Sequence, residues 1–432
     1  MDYSTVEQEL LSYRPAGWTV TDFPDGFVWP RYEGRSVGNL GATVAALLGA
    51  QLRGVLPPLE RDILGDLGQD VERIVLLVMD ALGWRQLQRA MARHPDLVFH
   101  RLGQKGRLLP ITTTFLSTTN SVLSSIWTMQ PPIRHGLLAY ELYLREWSMA
   151  VEAIGFSSPA EPSSGTLLRW GFDPVTFLPV PSLAELLAGH GISSHTVILQ
   201  RYTETPLSRM HFRGAQEIHA HSYASDFWVT LRRVLHDHCD ERMVLGGYWP
   251  AVDTLGHRYG PEDETDDAEI LAISTLMERL FLDRLLPEDR KGTLLLLTAD
   301  HGQILTPLEE VVVLEDHPAL RDMLWMRPVG ESRVPFFYVR HGMLERALGY
   351  LTEQFGDRFV FLTREQVLAS GLLGPGPAYQ ETAFRLGDIV GIARREAALA
   401  ANREGATRLA GRHGGLTPEE MLVPLLAVRL DA

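Results

Sequence analysis

The chain has 432 residues, 45% of them hydrophobic and 22% charged, an ordinary globular balance that excludes a collagen-like, disordered or membrane-bundle protein. Its 40 Lys and Arg against 54 Asp and Glu leave a net charge of -14, which disfavours duplex nucleic acid and anionic membrane surfaces as partners. A single cysteine, Cys239, excludes an intrachain disulfide, a Cys-rich zinc cluster and a CxxC redox pair, so any metal site must be built from histidine and carboxylate.

The amino terminus, Met1 to Glu7, is acidic and lacks the basic-then-apolar pattern of a secretory signal. No apolar run approaches the roughly 20 residues that span a bilayer, so a cytoplasmic protein is expected. At roughly 150 residues per domain, the length allows two or three units, or one large α/β domain with an insertion.

The first strong strand is predicted at 73–79 (RIVLLVM), a continuous apolar run of the kind buried on both faces of a parallel sheet, and it runs straight into Asp80. A helix over 84–93 follows. Residues 112–121 read Thr112-Thr113-Thr114-Phe115-Leu116-Ser117-Thr118-Thr119-Asn120-Ser121, ahead of a helix over 120–129. Such a run suits capping and loops, but a hydroxyl at a helix N-terminus also sits beside backbone amides that favour a phosphate.

Further along, helices are predicted over 182–189 and 223–237 and a strand over 196–199. A strand at 243–249 (MVLGGYW) leads into Asp253-Thr254-Leu255-Gly256-His257. Asp253 and His257, four apart, suit one face of a helical turn, although Gly256 argues for a tight loop. The acidic run 262–267 reads as the solvated start of a helix over 266–286. The strand 293–298 (TLLLLT) leads into Ala299-Asp300-His301-Gly302. Residues 306–404 carry their own strand (334–339), helix (344–355) and loop punctuation, and read as an inserted cap in a core of 1–305 plus 405–432. Finally Gly411-Arg412-His413-Gly414-Gly415 precedes a strand at 421–428.

The alternation predicts a doubly wound α/β fold: a mainly parallel sheet flanked by helices, with a small inserted α/β cap and ligands at the carboxyl ends of the strands. There, Asp80, Asp253, His257, Asp300, His301 and His413 supply N and O ligands suited to two divalent cations, zinc or manganese. Two such ions about 3.5–4 Å apart form the clamp used for in-line phosphoryl displacement. The histidines His211, His219, His221, His236 and His238 have spacings that suit helix surfaces better than a closed ligand shell, and receive no role.

Assembled in this order, the motifs resemble the alkaline phosphatase superfamily, and within it the bacterial type I phosphodiesterase/nucleotide pyrophosphatase branch. The resemblance runs through Met79-Asp80-Ala81-Leu82-Gly83, Phe115-Leu116-Ser117-Thr118-Thr119, Thr128, Pro131-Pro132-Ile133-Arg134-His135-Gly136, Asp253-Thr254-Leu255-Gly256-His257, Ala299-Asp300-His301-Gly302 and His413-Gly414-Gly415. The closing stretch His413 to Met421 is also similar to the end of PglZ-type domains.

The resemblance implies that Asp253, His257 and His413 hold one zinc, while Asp80, Asp300, His301 and Thr119 hold the other, with Thr119 as nucleophile. Thr119 is preferred over Thr118 because its sixteen-residue spacing to His135 matches the family. Departures stand at Ala81 and Met129, where Gly is usual, at Leu116 for Pro, and at Val122 in place of a phosphate-binding Asn. Asn120 or the helix amides are candidate substitutes. The implied substrate is a small phosphate ester, nucleotides and nucleotide-sugars being candidates, cleaved through a phosphothreonine. The alternatives are a phosphomonoesterase of the same superfamily and a non-catalytic metal-binding PglZ-type module. A monoester asks for a further cation, and Arg201 and Arg209, after the 196–199 strand, are expected to be solvated or ion-paired.

Overall fold

Apolar runs without alternation are stable only where both faces of a strand are covered, and the chain meets that condition by laying helices over both sides of one sheet. The computed structural model describes residues 3–15 and 26–432; Met1 and Asp2, the first of the acidic amino terminus, lie outside them. The central sheet contains β1 (Arg73–Met79), β2 (Arg107–Thr112), β3 (Ser193–Leu199), β4 (Glu217–His221), β5 (Met243–Trp249), β6 (Thr293–Thr298) and β7 (Leu422–Arg429), in the spatial order β2-β7-β6-β1-β5-β3-β4. Neighbours pair in parallel except β7, which runs against both β6 and β2. The fold is a mainly parallel, helix-flanked α/β sheet.

Every residue of β1 and β6 is buried. The parallel register sets Met79 beside Trp249 and Val78 beside Thr298, so the chain leaves β1, β5 and β6 at one edge. That edge is where ligands of such sheets bind.

The helices that serve this edge are α1 (Trp84–Arg93), α2 (Thr119–Thr128), α3 (Ala224–Asp237), α4 (Ala251–Tyr259) and α5 (Glu264–Leu276). The helix predicted over 266–286 ends at Leu276 and continues as a wider turn, Met277–Phe281, and a tight one, Leu282–Arg284. Among the described residues no helix is long and apolar enough to cross a membrane.

A second, antiparallel sheet takes four strands from the 306–404 segment: Val329–Gly330, Pro335–Phe337, Phe359–Thr363 and Ile389–Ala393. Two more, Glu141–Leu144 and Met149–Glu152, join it from the earlier part of the chain. We propose 306–404 as the inserted cap, with residues 141–152 completing its sheet from the core side.

The acidic start of α5 is only partly solvated. Asp263 caps the helix, accepting from the Thr265 amide at 2.9 Å. Asp266, however, is buried and accepts from Gln86 Nε2 of α1 at 2.6 Å. Burial pushes its carboxyl up to about 7, against the pull of the Gln86 bond. A carboxyl raised in the folded state is penalised only when ionised. The cost is therefore absent below about pH 4, grows as pH rises toward 7, and is complete above it. Asp266→Asn keeps an acceptor for Gln86 and is expected to be more stable than the parent at pH 8, by roughly 3 kcal/mol, with the gap closing by pH 4. Urea unfolding at the two pH values measures it.

Candidate active site

Asp80 is the first residue beyond β1, and its amide donates to Trp249 O at 2.9 Å, extending the pairing with β5 by one step. The chain then turns through Ala81 at φ 60°, in the left-handed region that favours glycine. Met129, after α2, has φ 57°. The two positions where the family pattern carries glycine thus keep the glycine-type backbone with a side chain in place. The turn at Ala81 has a use: its amide donates to Asp300 Oδ1 at 3.1 Å, as does the His301 amide at 3.0 Å. Both orient the carboxylate that follows β6. Tyr248 OH donates to Asp80 Oδ2.

Asp253 and His257 lie one turn apart on α4, with His257 Nε2 3.2 Å from Asp253 Oδ1. The segment is helical, and the loop that Gly256 suggested is absent. Gly256 is instead a close-packing residue, since a Cβ there would come 2.2 Å from Gln303 Oε1. Gln303 holds Asp253 in turn, its Nε2 donating to the carboxylate and, at 3.1 Å, to the backbone oxygen.

Gly302 meets a tighter limit. A Cβ there would fall 2.0 Å from Glu419 O and 3.0 Å from the Gly83 Cα, both backbone atoms. Gly302→Ala is expected to cost about 1–3 kcal/mol, as overpacking does, and to displace His301 beside it. Urea unfolding and hydrolysis rate should fall together.

His413 sits on the loop after the bridge between Gly411–Arg412 and Ile304–Leu305. The loop is tied to Ser117, whose hydroxyl donates to Gly415 O at 2.8 Å and accepts from the Gly414 amide at 3.2 Å. Glu420 accepts from the Gly415 amide (2.8 Å) and the Thr417 hydroxyl (2.7 Å). Arg333, from the cap segment, completes the tie with two bonds of 2.8 Å to the two Glu420 oxygens.

Thr119 is the first residue of α2, with Oγ1 3.3 Å from His301 Nε2. The neighbouring Thr118 hydroxyl donates elsewhere, to Glu331 Oε1 at 2.6 Å. Burial pushes the Glu331 carboxyl up to about 8, although Thr118 and the Tyr140 amide both bond to it.

All three histidines place a ring nitrogen against a backbone carbonyl: His413 Nδ1 donates to Ser117 O (3.0 Å), His257 Nδ1 to Gly411 O (2.8 Å) and His301 Nδ1 to Gly302 O (3.1 Å). A carbonyl only accepts, so in the neutral rings the free lone pair is on Nε2, the arrangement usual for metal-ligating imidazoles. These three Nε2 atoms face the carboxylates. His413 Nε2 is 3.2 Å from His257 Nε2 and 3.7 Å from Asp253 Oδ1. His301 Nε2 is 3.6 Å from Asp80 Oδ1 and 3.5 Å from Asp300 Oδ2. The two groups adjoin where the His301 and His413 rings stack, 3.8 Å between centroids.

The electrostatics of this cluster ask for positive charge. Asp80 Oδ1 and Asp300 Oδ2 are buried with no hydrogen-bond partner among the described residues. Burial, then Asp300 and Asp253, raises the Asp80 carboxyl well above its ordinary range. Burial, then His301 and His257, holds the His413 imidazole well below its own. Imidazole nitrogens and carboxylate oxygens 3.2–3.7 Å apart have the separations expected of ligand atoms around an ion bonded at about 2.0–2.2 Å. The donor set fits divalent cations.

Asp80, Thr119 and Asp253 open into a cavity of about 150 Å³ walled by Trp127, Tyr202, Leu207, Phe212 and Tyr248. A larger cleft of about 940 Å³, lined by Arg89, Glu310 and Arg394 among others, contains none of the seven clustered residues. Asn120 does not reach the cavity. It is fully buried, donating from Nδ2 to Ala139 O at 2.6 Å and accepting from the Ser121 amide, so its side chain braces α2. Arg209 pairs with Glu204 at 2.9 Å on the surface, and Arg201 lies over the Tyr202 ring, as the charge argument expected. Tyr248, Gln303, Glu331 and Arg333 carry no signal in the sequence, because each acts through partners far away in the chain.

The sequence model of the type I phosphodiesterase/nucleotide pyrophosphatase family matches residues 74–416. The chain belongs to that family. Its members are hydrolases of phosphate esters and depend on metal ions, and the ligand groups described above lie within the matched span. No curated protein matches by sequence. Among solved structures, murine ectonucleotide pyrophosphatase/phosphodiesterase 5 is similar over 82% of this chain and 87% of its own, with 16% identity and a TM-score of 0.59. An inactive variant of that murine protein, in complex with AMP, has a TM-score of 0.58 over 83% and 88% of the two chains, with 15% identity. Phosphonoacetate hydrolase from Sinorhizobium meliloti, in complex with phosphonoformate, is similar over 82% and 89%, with 17% identity and a TM-score of 0.59. These likenesses show the shared fold.

Proposed function

We propose that this family member is a phosphodiesterase/nucleotide pyrophosphatase that works through Thr119 and two divalent cations, zinc first and manganese second. Asp253, His257 and His413 would hold one ion, and Asp80, Asp300, His301 and Thr119 the other. The observation that carries this reading is the gathering of three Nε2 atoms with the Asp80, Asp253 and Asp300 carboxylates, His301 Nε2 lying 3.3 Å from a threonine hydroxyl at a helix start. When bound, the ions would supply Lewis-acid neutralisation of charge and make hydroxyl and water better nucleophiles.

The chain's own residues do the rest. The first turn of α2 turns its backbone amides and positive dipole end toward the phosphate oxygens. Thr119 Oγ1, after losing its proton, forms a bond to phosphorus as the bond to the leaving oxygen breaks in line, giving a phosphothreonine. Water then attacks from the vacated side and restores the hydroxyl. Tyr248 and Gln303 hold Asp80 and Asp253 in place throughout. Trp127, Tyr202 and Phe212 offer apolar and aromatic surface to a leaving group, a nucleoside being a good fit. Among the described residues no Lys or Arg lines that cavity, which favours a diester monoanion over a monoester dianion.

The test is a metal-dependent hydrolysis panel of p-nitrophenyl phosphate, bis-p-nitrophenyl phosphate and thymidine 5′-monophosphate p-nitrophenyl ester. The thymidine ester is expected to be cleaved fastest and the monoester slowest, with activity lost to chelator and restored by zinc. A panel led by the monoester contradicts the diester reading. Absence of all hydrolysis with metal bound favours a non-catalytic module.

A further inference from the structure

A second cluster of histidine and carboxylate lies at the other end of the same strands. His195 of β3 stands level with Leu245, four residues before the end of β5, so it falls roughly 13 Å short of the active-site edge at about 3.3 Å per residue. Around it gather Glu217 and His219 from the edge strand β4, and His238 and Glu241 from the turn that follows α3. The spacing of His219 and His238 had suggested helix surfaces. In the fold His219 lies on a strand and both converge on His195, which the sequence does not single out.

His195 is 1% exposed, and its Nε2 is buried with no hydrogen-bond partner among the described residues. Its Nδ1 lies 3.3 Å from His219 Nε2, and its ring centroid is 4.1 Å from that of His238. His219 Nδ1 is 3.6 Å from Glu217 Oε1, and His238 Nδ1 is 2.8 Å from Glu241 Oε1. Ligand atoms of His195, Glu217 and His219 lie within 4.8 Å of one another, as do those of His195, His238 and Glu241. Two nitrogens bound to one tetrahedral ion at about 2.1 Å stand about 3.4 Å apart, close to the His195 to His219 spacing. A proton shared between those two rings accounts for one contact. Glu241 is held by His238 and by the Ser193 hydroxyl at 2.7 Å, but the buried His195 Nε2 is left without a partner among the described residues.

We infer that this cluster binds one divalent transition-metal ion of the zinc class, through His195 together with His219 and Glu217 or with His238 and Glu241, separately from the catalytic centre. The glutamate of either set offsets part of the ion's charge, and imidazole with carboxylate is a donor set that suits zinc. Partial exposure of the other four residues leaves a path for the ion to enter. Such an ion would clip β3 either to β4, the edge strand of the sheet, or to the turn after α3, and an edge is where strands are least secured.

The test uses the full chain equilibrated with zinc, then dialysed and analysed for metal by mass spectrometry. The parent is expected to hold one equivalent more than His195→Gln, the residue common to both ligand sets. Diester hydrolysis should agree between them within twofold, and added zinc should raise the melting temperature of the parent more than that of the variant. Should His195→Gln fail to fold, the double variant His219→Gln/His238→Gln removes one half-buried ligand from each set and should show the same deficit. An Asp253→Asn variant separates the two centres, since it should lose hydrolysis and keep the additional equivalent. Equal metal content in the parent and the folded variant overturns the inference.

Discussion

Thr119→Ala is expected to lower phosphodiester hydrolysis by at least ~10⁴-fold, the scale seen when a nucleophile is removed, equivalent to about 5.5 kcal/mol of transition-state stabilisation. The reason is local. The Thr119 hydroxyl is the one that faces the His301 imidazole, at 3.3 Å, whereas the Thr118 hydroxyl donates to Glu331. Thr118→Ala should therefore cost less than about tenfold, the scale of one lost neutral hydrogen bond. Thr119→Ser, which keeps the oxygen, should retain measurable turnover. Zinc content should stay at the parental level in Thr119→Ala, because six of the seven proposed ligands remain. Equal losses at 118 and 119 would mean that the helix start, and not one oxygen, is what matters. Steady-state rates on the thymidine ester, with metal analysis of the same samples, decide it.

The second large effect is on stability. Arg333 and Glu420 form a bidentate pair whose side chains are both 0% exposed. Against the upward push of burial, Arg333 and the bonds from Thr417 and Gly415 hold the Glu420 carboxyl below its ordinary range. Arg333→Ala leaves that carboxylate buried and unpaired, and is expected to cost about 3–5 kcal/mol. Arg333→Lys keeps the charge and loses the fork, so it should fall between. The loss should reach function too, since Glu420 fixes the loop that carries His413 and Arg333 ties the cap segment to it. Urea unfolding should show a lower midpoint with an unchanged slope, and zinc should dissociate more readily. A change below about 1 kcal/mol would place the pair among the inconsequential ones.

How much of this was legible in the sequence follows from how local each signal is. Strands 73–79, 243–249 and 293–298 match their structural limits, because a strand covered on both faces must be apolar throughout and needs no partner to be recognised. β2 was missed: its Pro110 discourages a strand reading, yet the residue lies opposite Pro424 on the antiparallel β7, an arrangement set by the other end of the chain. β4, an edge strand reading EIHAH, has no apolar run to show. Asp80, Asp300 and His301 were legible because each follows a clear strand. Asp253 and His257 were legible as a pair but ambiguous in shape, since Gly256 disfavours helix unless something must pass close by, and Gln303 does. The bond of the Asn120 amide was not legible, since its partner, Ala139 O, lies nineteen residues on in a turn that carries no pattern. Tyr248, Gln303, Arg333 and His195 acquire meaning only through tertiary neighbours.

The central claim is that two divalent cations sit in front of the Thr119 oxygen, and the most direct measurement is anomalous diffraction at the zinc edge from crystals of the zinc-loaded protein. Two peaks are expected beside Thr119, one among Asp253, His257 and His413 and one among Asp80, Asp300 and His301. No peak among these residues, or a Thr119 hydroxyl turned away from both ions, would contradict it.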